Sequence, residues 1–241
     1  MKILLAILLA TTLTVSVVPA QQDRERAAIK RGNELVAQEK YEAAIREYQR
    51  LSPAVGDLYA RALYNIGVCY YELWKTDQAI DFYSRAIAAS KNKYAKASYA
   101  LGVAFEDEGR FAEASQAYEE SIVASRGDFA PAQYRLGLLM VRAGNYLRAA
   151  QLFTNAIRRP GDHLPASHNN LGVVLARTGH LKEAETQFKI ALRLTGGILE
   201  DAAHNLKLCR YLLAKGMAEL ALFKISDSIR STGDLSFPHR P

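Results

Sequence analysis

Small and hydrophobic positions recur along the chain with a period of 35. Glycine stands at Gly32, Gly67, Gly102, Gly137 and Gly172. Twelve residues after each comes an alanine (Ala44, Ala79, Ala114, Ala149, Ala184), and sixteen after each an aromatic ring (Tyr48, Tyr83, Tyr118, Phe153, Phe188). Ile66, Leu101, Leu136 and Leu171 precede the glycine by one, and Leu35, Tyr70, Phe105, Met140 and Leu175 follow it by three. These spacings set i, i+4 apolar pairs on one helical face. Each unit is therefore expected to hold helix A, which carries the glycine, and helix B, which carries the alanine and the ring. Between them lie turns such as Glu108-Gly109-Arg110, Ala143-Gly144-Asn145 and Thr178-Gly179-His180, where glycine supplies a left-handed helix end. The helix A glycine costs about 1 kcal/mol in helix propensity, and its use is close approach of helix B. A two-helix unit cannot bury its own apolar face, so consecutive units must stack.

The spacing of glycine, alanine and ring resembles the tetratricopeptide repeat family over residues 25 to 230. That resemblance implies an all-α fold, a right-handed α-solenoid of stacked antiparallel helix pairs. The units are 25–59, 60–94, 95–129, 130–164 and 165–199, each one residue longer than the family's usual 34, with the extra residue assigned to the B-to-A connection. A degenerate capping unit is expected at 200–230. There His204-Asn205-Leu206-Lys207 aligns with Asn169-Asn170-Leu171-Gly172, Lys207 replaces the glycine, Glu219 the alanine, and Phe223 keeps the ring. Residues 231–241 read as a flexible tail. Pentatricopeptide repeats, which bind RNA, also have 35 residues per unit, but their code is not what these alanine and aromatic positions resemble.

Composition agrees with a folded protein: 241 residues, 49% hydrophobic and 23% charged. A net charge of +6, with both signs interspersed, is too small for a dedicated nucleic-acid binder and permits an acidic protein partner. At the N-terminus Lys2 precedes an uncharged run, Ile3 to Val18, and Val18-Pro19-Ala20 places small residues where a signal peptidase cuts. Residues 1–20 are read as a signal peptide cleaved after Ala20, giving a periplasmic or secreted protein. The alternative is an uncleaved membrane anchor, although the run is shorter than the roughly 20 residues that span a bilayer. No N-x-[ST] site follows Ala20, which favours a bacterial periplasm. Cys69 and Cys209 lie four repeats apart, so two free, buried cysteines are expected.

In the family resembled, helix A residues line a concave, ligand-binding face, and the matching positions here are basic and tyrosine-rich through repeats one to four and polar, with Asn and His, toward the C-terminus. Three before the glycine stand Ile29, Tyr64, Tyr99, Tyr134, Asn169 and His204; two before it, Lys30, Asn65, Ala100, Arg135, Asn170 and Asn205; six before it, Arg26, Arg61, Lys96, Pro131, Ala166 and Asp201. Rings give rigid contact area and amides grip a peptide backbone. The candidate binding residues are Arg26, Asn33, Arg61, Tyr64, Asn65, Lys96, Tyr99, Tyr134, Arg135, Asn169 and Asn170. Rings at these positions also pack between repeats. Some family members clamp a partner's C-terminal carboxylate with two Lys, two Asn and an Arg. Asn33, Asn65 and Lys96 match that set, but Ile29 and Ala100 replace a Lys and the Arg, which removes the bidentate donor.

Catalytic patterns are missing. His163 and His168 are five apart without metal-ligand companions and are read as surface or groove residues. Trp74, at the end of helix A, is read as a packing residue. There is no phosphate loop or nucleophile elbow. No cofactor, metal or enzyme activity is expected. The sequence points to an exported protein–protein interaction scaffold that holds a peptide or protein segment in its groove, or alternatively to a membrane-tethered linker for a filament or protein assembly. Leu220-Ala221-Leu222-Phe223 is a candidate surface for self-association.

Overall fold

The computed structural model of the chain describes residues 17–215 and 223–226. Residues 1–16, which hold most of the expected signal peptide, Glu219 and residues 231–241 lie outside them. Among the described residues there are eleven α-helices, one short 3-10 turn (Pro53–Val55) and no strand. The chain forms two compact units, Met1–Ala104 and Phe105–Pro241. The helices are α1 (Val17–Val36), α2 (Tyr41–Tyr48), α3 (Asp57–Glu72), α4 (Thr76–Ala89) and α5 (Ala95–Asp107), which runs across the division. They continue with α6 (Phe111–Ala124), α7 (Ala130–Arg142), α8 (Tyr146–Ile157), α9 (Leu164–Arg177), α10 (Leu181–Leu194) and α11 (Glu200–Lys215). In the first unit α1 packs on α2, α2 on α3 and α3 on α4; in the second, each helix from α6 to α11 packs on the next. α1 also touches α3, and α9 touches α11. Contacts between sequence neighbours and between alternate helices are those of stacked helix pairs.

The 35-residue pattern has a direct steric cause. A Cβ built on Gly67 would come within 2.6 Å of the Tyr83 ring, on Gly137 within 2.7 Å of Phe153, and on Gly172 within 2.6 Å of Phe188. The ring sixteen residues on lies flat against the glycine backbone of its own unit. Those rings and the five alanines of helix B are buried, so neither position has room to adjust. The buried rings that carry a hydroxyl keep a partner where the structure offers one: Tyr48 donates to Asn33 Oδ1 at 2.7 Å and Tyr118 to Glu106 Oε2 at 2.7 Å.

Helix A ends the same way in every unit, seven residues past the repeat glycine. Glu39, Trp74, Gly109, Gly144 and Gly179 all have positive φ, between 58° and 88°. In the second unit of the repeat, for instance, Lys75 N–H donates to Tyr70 O and Trp74 N–H to Tyr71 O, which satisfies the last helical carbonyls. Trp74 is thus a correction to the sequence reading. It occupies the left-handed position that glycine fills later in the chain, and it is 53% exposed. His163 is a second correction: it is buried at the start of α9, and its Nε2 donates to the Ala156 carbonyl at 3.1 Å. Cys69 and Cys209 are free and buried, as expected.

A third correction concerns Phe223. The sequence aligns it with the ring of a sixth helix B, but Phe223–Ser226 is not helical. Its ring is buried and stacks on Phe188 of α10, with centroids 5.9 Å apart. It therefore offers no surface for self-association, and Leu220–Leu222 lie outside the described residues.

Candidate functional site

Three A helices of the second unit, α7, α9 and α11, bring equivalent positions to one face. Asn170 and Asn205 are 35 residues apart, each two before the repeat position; Tyr134 and Asn169 stand three before it. Asn169 and Asn170, adjacent on α9, reach to either side: Asn169 accepts from Asn205 of α11 at 2.9 Å, and Asn170 donates to Tyr134 of α7 at 3.4 Å. Against this face lies Phe223–Ser226.

Asn170 and Asn205 hold the main chain of that segment. Asn170 Nδ2 donates to the Ser226 carbonyl at 2.7 Å while its Oδ1 accepts the Ser226 N–H at 2.7 Å. Asn205 makes the same pair with Lys224: Nδ2 to the carbonyl at 2.6 Å, and the N–H to Oδ1 at 2.7 Å. One side-chain amide thus closes a two-bond ring on one residue, and the next repeat does so two residues away. Alternate residues present their N–H and C=O to the same side only in an extended chain. Tyr134 Oη donates a second bond to the Ser226 carbonyl at 2.6 Å.

Asn169 ties the set together. Its Oδ1 accepts from Asn205 at 2.9 Å, and its Nδ2 lies 3.1 Å from the Lys224 carbonyl, 2.9 Å from Ser226 Oγ and 3.1 Å from Asn170 Oδ1. Ser226 Oγ in turn donates to Asp201 Oδ2 at 3.2 Å. Asn169, Asn170, Asn205 and Tyr134 are all fully buried beneath the segment. A buried amide that loses its partner costs about 1–3 kcal/mol, so this face requires an occupant or water.

The side chains of the segment alternate in fate. Phe223 joins Val173, Phe188, Cys209 and Leu212 in one apolar cluster. Ile225 packs against that cluster and against the one containing Tyr134, Phe153, Leu171 and Val174. Lys224, between them, is exposed.

The first-unit candidates are placed differently. Tyr64 and Tyr99 are buried, and the Tyr64 ring packs between Tyr83 at 5.8 Å and Tyr94 at 5.2 Å. Asn65 Nδ2 donates to Asn33 Oδ1 at 3.2 Å, an oxygen that already accepts from Tyr48. Arg26 and Arg61 are exposed and Lys96 is half-buried. In the second unit Arg135 faces Glu106 at 3.6 Å, which offsets its charge. The structure thus brings together Tyr134, Asn169 and Asn170 of the sequence candidates, and adds Asn205, Asp201 and the segment itself. Asn205 and Asp201 stand at the same register positions, a signal present in the sequence; the segment carries none.

Titratable groups elsewhere are perturbed by burial. His168, bonded to Gln187 at 2.8 Å, has its pKa lowered chiefly by desolvation. Glu72 is raised to about 7 by burial first and by Glu39 second. Among the described residues no His, Cys, Asp or Glu cluster could hold a metal, and no helix is long and apolar enough to cross a membrane.

Comparison with known proteins agrees with the architecture. The sequence model of the tetratricopeptide repeat matches residues 29–94, 88–129 and 134–198. No curated protein matches. Among solved structures, YrrB, reported as a TPR protein with an unusual peptide-binding site, is 22% identical with a TM-score of 0.59, over 76% of this chain and 87% of that one. MamA from Desulfovibrio magneticus RS-1 is 19% identical with a TM-score of 0.58, over 73% and 98%. BtubC from P. vanneervenii is 22% identical with a TM-score of 0.56, over 70% and 76%. At these identities the likeness is one of fold.

Proposed function

The chain belongs to the tetratricopeptide repeat family, and on that premise we propose that it is an exported, non-enzymatic interaction scaffold that binds an extended protein segment on the A-helix face of its second unit. The observation that carries this reading is the pair of buried asparagines, Asn170 and Asn205, each closing two hydrogen bonds on the backbone of alternate residues. Backbone recognition of this kind gives affinity without demanding one sequence, while flanking apolar pockets select side chains. The peptide-binding site reported for YrrB supports the same use of the fold. Arg26, Arg61 and Lys96 of the first unit supply positive charge for an acidic stretch of a partner, a separate contact. Export rests on the Lys2, Ile3–Val18 and Ala20 pattern.

Selection of random twelve-residue peptides displayed on phage tests the binding reading. A chain carrying Phe223→Ala, which loosens the chain's own segment from the face, is expected to enrich peptides that the same chain with Asn170→Ala/Asn205→Ala no longer retains. Failure to enrich any peptide, or enrichment that survives the asparagine substitutions, overturns it. The intact mass of the protein from its source cells tests export: a chain beginning at Gln21 supports it, and a chain retaining Met1 replaces it with the membrane-tethered linker.

A further inference from the structure

The occupant of the asparagine face is the chain itself, and its four residues show what the face accepts. Phe223 is buried against the Phe188 ring and Ile225 is half-buried against two clusters, while Lys224 between them is exposed. Ser226 is buried, and its hydroxyl accepts from Asn169 and donates to Asp201. A carboxylate or phosphate in place of that buried hydroxyl would face the half-buried Asp201 carboxylate, so a neutral hydroxyl is what fits. The two Asn–backbone rings fix the register, because a shift by one residue would present the N–H and C=O groups to the wrong side.

Resting on the peptide-binding reading above, we propose that this site takes an extended segment of the pattern aromatic, any residue, aliphatic, serine. Phe223–Ser226 is the chain's own copy of that ligand, and a partner carrying the pattern displaces it. A tethered copy competes at a high effective concentration, so the apparent affinity for an outside ligand falls by the fraction of molecules whose site is open. The resident segment therefore sets a threshold that only a matching partner, or a high local concentration of one, passes.

The test uses the full chain and a labelled octapeptide with the sequence of residues 221–228, Ala-Leu-Phe-Lys-Ile-Ser-Asp-Ser. Lys224→Pro/Ser226→Pro removes the two backbone donors that Asn205 and Asn170 accept, and Phe223→Ala is a second route to release. Thermal unfolding of each variant establishes that it folds. The opened chains are expected to bind the octapeptide at least ten times more tightly than the parent. Peptides with Phe→Ala, Ile→Ala or Ser→Asp are expected to bind the opened chains at least ten times more weakly than the octapeptide, and a Lys→Ala peptide equally well. Equal affinity of the octapeptide for parent and opened chains overturns the competition. Opened chains that bind all these peptides alike overturn the pattern yet leave backbone recognition standing. A peptide N-methylated at its Lys and Ser that binds without loss overturns the underlying reading as well.

Discussion

At the scale of single residues, the repeat leaves two departures from its own rule. Glu39 and Trp74 hold the left-handed position that Gly109, Gly144 and Gly179 fill later in the chain. An L-residue there costs roughly 1–2 kcal/mol, partly offset by the larger unfolded-state entropy of glycine. Glu39→Gly is therefore expected to raise stability by about 0.5–1 kcal/mol, measured by urea unfolding at pH 7. Glu39 also repels Glu72, whose pKa is raised to about 7, first by burial and then by this charge. Glu72 ends α3, where the helix dipole further disfavours a negative charge. A carboxyl whose folded pKa lies above its unfolded one is easiest to keep neutral: its favourable contribution is complete below about pH 4.5 and is lost as pH rises through 7. Glu72→Gln should raise the melting temperature at pH 8 and leave it unchanged at pH 4. A uniform gain at both pH values would show that the charge is not the cause.

At the scale of the helix pair, two glycines seven residues apart in one unit fail for different reasons when replaced. Gly137 faces Phe153 with no room for a Cβ, whereas Gly144 has open space but a φ of +74°. Gly137→Ala should cost about 1–3 kcal/mol by overpacking, and Phe153→Leu in the same chain should recover part of it. Gly144→Ala should cost about 1 kcal/mol through the backbone, and Phe153→Leu should not help it. A double-mutant cycle on both pairs decides. This is the level at which the sequence was most legible. The glycine, alanine and ring positions fall where the 35-residue spacing puts them, because each is fixed by contacts inside one unit or with the next. Tyr134, Asn169 and Asn170 were legible on the same ground. Trp74 was not, since its conformation follows from the turn it occupies and not from its apolar character. His163 was misread because a loop ring can bury itself on a backbone carbonyl that no spacing announces.

At the scale of the whole molecule, Phe223–Ser226 is what the sequence could not show. Its ring sits at the repeat offset from Phe188, so pattern alone assigns it to another helix, while the structure seats it 35 residues back against Phe188 itself. Whether a segment continues a helix or crosses a face depends on partners 19 to 92 residues away, beyond the reach of local periodicity. Its contribution to stability should be local for the same reason that the repeat is local: in stacked units stabilisation passes between nearest neighbours. A chain ended after residue 222 loses every bond that Asn170 and Asn205 make to Lys224 and Ser226 and uncovers the apolar surface around Phe188. Amide exchange in α9, α10 and α11 is expected to rise several-fold in that chain, while α1 to α4 keep the rates of the parent. Adding the octapeptide of residues 221–228 in excess should restore protection in α9 to α11. An increase spread evenly over all helices would mean that the segment stabilises the protein as a whole, and no increase would mean that the asparagine face stands without an occupant.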